Sequence, residues 1–149
     1  MKFHSPVLLN ETIEGLNINP EGVYVDATFG GGGHTSYILK KISKGRVYAF
    51  DQDKDAHANK INDKRLNLIH ANFRYLKNFL RYNGEEKIDG IIADLGVSSY
   101  QFDNNKRGFS TRYNSEIDMR MNIDSELDAK QILNTYTQNE IADLLFCYG

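Results

Sequence analysis

Four consecutive glycines, Gly30 to Gly33, lie between a short apolar run and a segment with helical spacing. Glycine at such a strand-to-helix turn lets the backbone approach a ligand and leaves the N–H groups of the helix start for an anion. A tight structural turn is the alternative, but four glycines cost more backbone entropy than a turn requires. Because Thr35 stands where a third glycine belongs, the spacing departs from the dinucleotide-binding fingerprint. The run predicts a ligand-binding loop.

Carboxylates near this loop indicate which ligand it binds. Asp51 ends the second predicted strand, 21 positions after Gly30, close to the ~20 expected for an acid that accepts ribose hydroxyls. Asp53 or Asp55 can cap the following helix, which leaves Asp51 for the ligand. Asp26, just before the glycines, suits an ammonium group or a loop amide and would repel a pyrophosphate. It therefore favours S-adenosylmethionine over a nicotinamide dinucleotide.

Asp94 follows the fourth predicted strand, at the crevice where ligands bind in doubly wound sheets. Its carboxylate could contact the cofactor or accept a hydrogen from a substrate amine, and a solvated strand-end acid is the alternative. The same loop offers further polar side chains, namely Ser98, Ser99 and Gln101. This loop is a second part of the predicted site.

Composition excludes several classes of protein. The 149 residues, 40% hydrophobic and 26% charged, are typical of one globular domain. No apolar run approaches the ~20 residues of a membrane span, and one cysteine, Cys147, is consistent with a reducing cytoplasm. The net charge of −2 gives no overall attraction to nucleic acid, so an RNA partner would need local positive patches or a positive region outside this sequence. No metal site is predicted, because the histidines lack ligand spacing (His4, His34, His57 and His70).

Strands and helices alternate four times, which predicts a doubly wound parallel α/β sheet. The predicted strands cover residues 23–28, 46–51, 66–70 and 87–96, and the helices cover 6–16, 35–42, 55–61 and a segment from Phe73 to near Gly84. Pro6 is expected to start the first helix, after a cap at Ser5.

The alternation stops after Gly96. Residues 98–122 have no clear period and predict a long functional loop. Two short helices follow, the first framed by Ser125 and Asp128, the second starting at a capping box of Thr137 and Glu140. Four strands would leave one flank of the sheet uncovered, so we expect a fragment of a longer protein.

Six sequence blocks together resemble one family, the bacterial small-subunit ribosomal RNA cytosine-N4 methyltransferases. The blocks are "HSPVLLNE", "YVDATFGGGGHT", "AFDQD", "DGIIADLGVSSYQFD", "RGFS" and "IDMRM", and they span nearly the whole chain. The resemblance implies an S-adenosylmethionine-dependent enzyme with a Rossmann-like class I methyltransferase domain, interrupted by a helical insertion. Residues 1–103 would form the donor-binding part, and 104–149 a substrate-facing loop and the start of the insertion. It also implies a cytoplasmic protein that acts on small-subunit ribosomal RNA, within the assembled subunit, and that could form a homodimer.

The resemblance assigns roles to particular residues. Asp51 would bind the donor's ribose and Phe73 would pack beside its adenine; the methionine part and the rest of the pocket would be lined by Gly32, Gly33, His34, Asp94 and Gln101. From the residues alone, His34 is a helix-start residue and Phe73 a core aromatic. Asp94 is also the candidate catalytic acceptor for the amine hydrogens.

Substrate contacts are predicted in the loop after Gly96. The candidates for binding RNA are Arg107, Arg112, Asp118 and Arg120; solvated or internally paired arginines are the alternative. The "DLGVSS" stretch departs from the acid or amide, two prolines and aromatic found in many amino-group methyltransferases. A small-molecule methyltransferase, a donor-binding module without activity and a nicotinamide dehydrogenase remain alternatives.

Overall fold

The computed structural model describes residues 6–149, so His4 and Ser5 lie outside the described part. Its sheet contains β1 (Val23–Asp26), β2 (Arg46–Asp51), β3 (Leu66–His70) and β4 (Gly90–Ile92). All pairings are parallel, and the strand order is β3-β2-β1-β4. The predicted Rossmann-like, doubly wound α/β fold is confirmed.

Each predicted helical segment contains helical structure, although the one predicted over residues 55–61 is a 3₁₀ turn and the helix over residues 99–103 is not among those predicted. The α-helices are α1 (Leu9–Gly15), α2 (Gly33–Lys41), α3 (Leu76–Tyr82), α4 (Ser99–Asp103), α5 (Ala129–Thr135) and α6 (Gln138–Tyr148). Three 3₁₀ turns complete the set at Lys54–Asn59, Phe73–Tyr75 and Asn105–Arg107. None of the helices in residues 6–149 is both long and apolar enough to cross a membrane.

Both faces of the sheet are buried. Successive strand residues point to opposite sides, and neighbouring residues of β1 and β2 belong to two different core clusters. Tyr24 and Val47 belong to the core cluster that includes residues of α1 and α2. Their neighbours Val25 and Tyr48 pack on the other face, with Leu80 of α3. Burial on both faces explains why β1 and β2 are nearly continuous apolar runs.

Three predicted boundaries are wrong. β4 covers three residues instead of residues 87–96, because its neighbour β1 has only four residues to pair with and ends at Asp26. β1 itself ends before residue 28, where the chain leaves the ladder. The first helix begins at Leu9 rather than at Pro6, since Leu8 adopts a left-handed backbone with φ 48°; Pro6 lies instead against Gly33.

The chain divides into two compact units, one ending at Gly96 and one from Val97 to Gly149. The second is not the irregular loop predicted for residues 98–122, because α4 and a 3₁₀ turn form within it. A capping box of Ser98 and Gln101 starts α4, and local side-chain bonds of this kind give no hydrophobic period to read. The predicted capping box of Thr137 and Glu140 at the start of α6 is confirmed.

A paired acid stabilises the entry to β3. The Arg65 guanidinium donates to both carboxylate oxygens of Asp63, at 3.0 and 2.6 Å, and to the Ile42 carbonyl at 2.6 Å. These bonds lower the pKa of Asp63 from 3.8 to about 2. The ionised carboxylate therefore stabilises the fold above about pH 4, and this contribution is lost as the pH falls toward about 2.

We accordingly expect Asp63→Asn to be less stable than the parent by about 1 kcal/mol at pH 7, because the neutral amide keeps only part of this pairing. Denaturant unfolding between pH 7 and pH 2 checks this: the difference should shrink as the parent's Asp63 becomes protonated. A difference that stays constant over that range would show that the ionised pair contributes nothing.

Candidate functional site

The candidate site lies at the carboxyl ends of β1, β2 and β4. β1 continues through α2 to β2 on one side, while β4 lies on its other side. The strand order therefore reverses at β1, and the crevice at such a reversal is the usual binding site of doubly wound sheets. The glycine run leaves β1 at this point.

The glycine run is required by the backbone itself. Gly30 and Gly32 have φ values of 51° and 73°, which side chains other than glycine rarely adopt. A Cβ at Gly32 would also lie 2.8 Å from the Phe29 ring, and one at Gly33 would lie 2.1 Å from Cγ of Pro6. Three of the glycines thus have a structural reason, so their entropy cost does not by itself indicate a ligand.

The peptide of Gly30 is held from both sides. Its N–H donates to Oδ2 of Asp51 at 2.8 Å, and its carbonyl accepts from the Asn59 amide at 3.0 Å. The other Asp51 oxygen accepts from the Asp53 N–H at 2.8 Å, and Asp53 caps the 3₁₀ turn through the Asp55 N–H, as predicted. Each carboxylate oxygen has a second lone pair, so Asp51 can still accept hydroxyls. Sequence reasoning missed Asn59, which no spacing or motif distinguishes.

Asp26 is buried, and both of its carboxylate oxygens accept hydrogen bonds from the protein. It is 1% exposed, and its two oxygens accept from the Thr35 hydroxyl at 2.7 Å and the Thr28 N–H at 3.1 Å. Burial raises the pKa of its carboxyl, while those two hydrogen bonds act in the opposite direction. Of the two predicted roles, the bond to a loop amide is confirmed, and the 1% exposure of the carboxylate does not favour contact with a ligand ammonium. Asp26 therefore no longer discriminates between S-adenosylmethionine and a dinucleotide.

Two predicted site residues are accessible. Asp94 lies on the exposed loop after β4, and its N–H donates to the Thr28 hydroxyl oxygen at 2.7 Å. Phe73 begins the turn after β3 and is 43% exposed, so its alternative as a core aromatic is wrong. With Gly30 and Asp51, both residues follow carboxyl ends of the parallel sheet.

Two other predicted site residues are buried in local structure. His34 is the second residue of α2, and its Nε2 lies 3.2 Å from the Val7 carbonyl oxygen. Gln101 lies in the second unit, where its side-chain oxygen accepts from the Ser98 N–H at 3.0 Å. Each has a structural role of its own, and their contacts with a cofactor stay a prediction.

Two histidines, His57 and His70, form a pair beside the end of β2. The sequence does not reveal this pair. The rings of His57 and His70 are 4.9 Å apart, edge to face, and their Nε2 atoms each lie 3.2 Å from a carbonyl oxygen, of Asp51 and Gln52 respectively. The pair supports the β2 terminus. Within residues 6–149 no group of three or more His, Cys, Asp or Glu side chains could hold a metal ion.

The predicted RNA-binding arginines in the second unit differ in exposure. Arg107 is 4% exposed and donates to the carbonyls of Arg120 and Met121, at 2.9 and 3.1 Å. Arg120 pairs with both oxygens of Asp118, which lowers the pKa of that carboxyl. The structure therefore favours the internal alternative for Arg107. Arg112 is the most exposed of these, with 71% of its side chain accessible, and its guanidinium lies 3.9 Å from the exposed Asp103 carboxylate.

All residues of the candidate site lie within a segment that matches the model of one protein family. The model of the MraW methylase family matches residues 1–149. The chain belongs to this family. Membership confirms the resemblance found in the sequence, because the blocks that carry it are spread over the same residues.

Curated relatives agree with this assignment. The chain is 52% identical over 150 residues to the ribosomal RNA small subunit methyltransferase H of Christiangramia forsetii, covering 100% of this chain and 50% of that protein. The same-named proteins of Flavobacterium johnsoniae and Bacteroides thetaiotaomicron are 51% and 49% identical, again over 100% of this chain and 50% and 49% of theirs. The chain thus spans about half the length of the curated relatives it matches.

A solved structure also matches. An rRNA methylase from Streptococcus thermophilus superposes with a TM-score of 0.43 and 26% identity, over 54% of this chain and 51% of that one.

The bond from the Gly30 N–H to Asp51 and the bond from the Asn59 amide to the Gly30 carbonyl together form a clamp on Gly30. This clamp predicts a local effect of Asp51→Asn. The amide oxygen can keep one of the two N–H bonds but its nitrogen repels the other, so the glycine turn should open more often. We expect amide hydrogen exchange in residues 29–33 to accelerate by about tenfold, the equivalent of ~1.4 kcal/mol. Asp143→Asn on exposed α6 is the matched control, and unchanged exchange in the Asp51 variant would show that the clamp is not needed.

The internal role of Arg107 predicts a stability effect. Arg107→Met removes the bonds that the buried Arg107 side chain donates to two backbone carbonyls, so we expect the free energy of unfolding to fall by about 2 kcal/mol. Arg112→Met should change it by less than about 0.5 kcal/mol, since that side chain is exposed. Denaturant unfolding of both variants measures this difference. If Arg107→Met is as stable as the parent, the internal role is wrong and phosphate binding remains as the role of Arg107.

Proposed function

We propose that this chain carries the donor-binding part of an enzyme that transfers a methyl group from S-adenosylmethionine to the exocyclic N4 of a cytosine in small-subunit ribosomal RNA. The observation that carries the proposal is the clamped glycine turn at the strand reversal, in a chain that matches the methylase family along its whole length. The names of the relatives support ribosomal RNA as the substrate. Residues 1–103 would bind the donor, and 104–149 would face the substrate and begin a helical insertion.

The residues present fit this donor. Gly32 precedes α2 and has no side chain to cap it, so the N–H groups of the first turn remain for a carboxylate. Asp51 retains lone pairs for the ribose hydroxyls, and the exposed ring of Phe73 can stack on the adenine. Gly33, His34 and Gln101 would complete the pocket.

The reaction requires little acid–base catalysis from the protein. S-adenosylmethionine, when bound, supplies a methyl group already activated by its sulfonium, so catalysis depends mainly on positioning and exclusion of water. Asp94 would accept a hydrogen bond from the cytosine amine, which makes the N4 lone pair more nucleophilic, and would receive the proton that N4 loses. Its exposure at the end of β4 suits this role.

The setting belongs to the same proposal. The substrate would be RNA within the assembled subunit, in the cytoplasm, with phosphates reached from the surface of the second unit, where Arg112 is exposed. Asp118 and Arg120, which pair with each other, would hold the shape of the substrate-facing segment rather than contact phosphate directly. The homodimer stays a prediction.

Titration calorimetry of the chain with S-adenosylmethionine and, separately, with NAD tests donor binding. Saturable binding of the first alone is expected, whereas binding of NAD alone would favour a dehydrogenase. Phe73→Ala should weaken donor affinity by about tenfold through lost stacking. Tyr82→Ala removes an 89% exposed aromatic of the same unit and should leave donor affinity unchanged.

Transfer of labelled methyl groups to unmodified small subunits tests the reaction. Asp94→Asn should lower the rate by about 10² or more with donor affinity retained. Lost donor affinity would instead make Asp94 a cofactor residue. Methylation of free cytidine but not of subunits would favour a small-molecule enzyme.

A further inference from the structure

The pairing of β1 with both of its neighbours, β2 and β4, ends beside Thr28. Just before it, the Ala27 N–H donates to the Ile92 carbonyl of β4 at 2.9 Å. Just after it, the Phe29 N–H donates to the Phe50 carbonyl of β2 at 2.9 Å. Thr28 therefore lies just past the last paired residue of β1, where the loops after β4 and β2 diverge to form the crevice of a doubly wound sheet.

The side chain of Thr28 spans this divergence. Its hydroxyl oxygen accepts from the Asp94 N–H at 2.7 Å, so it continues the contact between the two strands after their backbone pairing has ended. Its own N–H donates to Asp26, which in turn accepts from the Thr35 hydroxyl of α2. Three hydrogen bonds thus connect the loop of Asp94 to the helix that follows the glycines.

The two ends of this connection differ in burial. Asp26 and Thr35 are 1% and 0% exposed, and the core fixes them. Residues 93–96 are all exposed, and Leu95 is 70% exposed. Few packing contacts can therefore hold that loop, and the bond to Thr28 ties the Asp94 backbone to the residue that follows β1.

We propose that Thr28 is a positioning residue of the methyl transfer: its hydroxyl sets Asp94 relative to the donor loop. The inference rests on the function proposed above and assigns the Thr28 hydroxyl to holding the Asp94 backbone. Valine has the shape of threonine without the acceptor, and serine keeps the acceptor without the methyl group. The pair Thr28→Val and Thr28→Ser therefore separates hydrogen bonding from packing.

For Thr28→Val we expect kcat to fall by about tenfold or more, since misplaced reacting groups lose rate steeply. The KM for the donor and its affinity by calorimetry should stay within about twofold, because the glycine turn keeps its own clamp. Thr28→Ser should recover most of kcat. Equal loss in both variants, an unchanged kcat in Thr28→Val, or a loss of donor affinity there would overturn the proposal.

Amide hydrogen exchange tests the geometry without relying on activity. Thr28→Val should accelerate exchange in residues 93–96, Thr28→Ser should not, and Ser43→Ala, which alters an exposed hydroxyl elsewhere, is the control. Unchanged exchange in Thr28→Val would overturn the inference even in an active enzyme. Accelerated exchange in a protein that methylates no RNA would uphold the connection and reject the proposed function instead.

Discussion

The buried carboxylate of Asp26 is the constraint on which the site depends. A carboxylate with 1% exposure is costly unless hydrogen bonds compensate for the lost water. Here the compensation comes from a backbone N–H two residues later and a hydroxyl nine residues later. Satisfying one acid thus fixes both the exit of β1 and the start of α2, and the glycine turn must fit between them.

That fit explains the composition of the turn. With both ends fixed, the chain reverses through left-handed conformations at Gly30 and Gly32, beside the Phe29 ring. Thr35 occupies the place of the fingerprint's third glycine because its hydroxyl is needed by Asp26. A glycine at position 35 would leave the buried Asp26 carboxylate without one of its donors. The buried acid therefore accounts for the departure from the fingerprint.

Sequence reasoning succeeded where a period or a local bond carries the information. The alternation of strands and helices, and the caps at Asp53 and Thr137, depend on neighbours in the chain. It failed where a distant partner decides: β4 is short because β1 is short, and Asn59 matters because Gly30 lies beside it. The inward turn of Arg107 likewise depends on carbonyls 13 and 14 positions away.

The second unit extends this lesson to whole motifs. The "RGFS" and "IDMRM" blocks, which are among the most specific in the sequence, bond to each other. The Met119 N–H donates to the Arg107 carbonyl at 2.9 Å, and a Cβ at Gly108 would lie 2.5 Å from the Asp118 nitrogen and the Glu116 carbonyl oxygen. Met119 itself is held at φ 57°, a strained value for a side chain of its size, with 47% of its surface exposed. Specific residue patterns can therefore reflect what a loop needs in order to keep its shape, and the groups that meet a substrate are then the ones this internal framework holds at the surface.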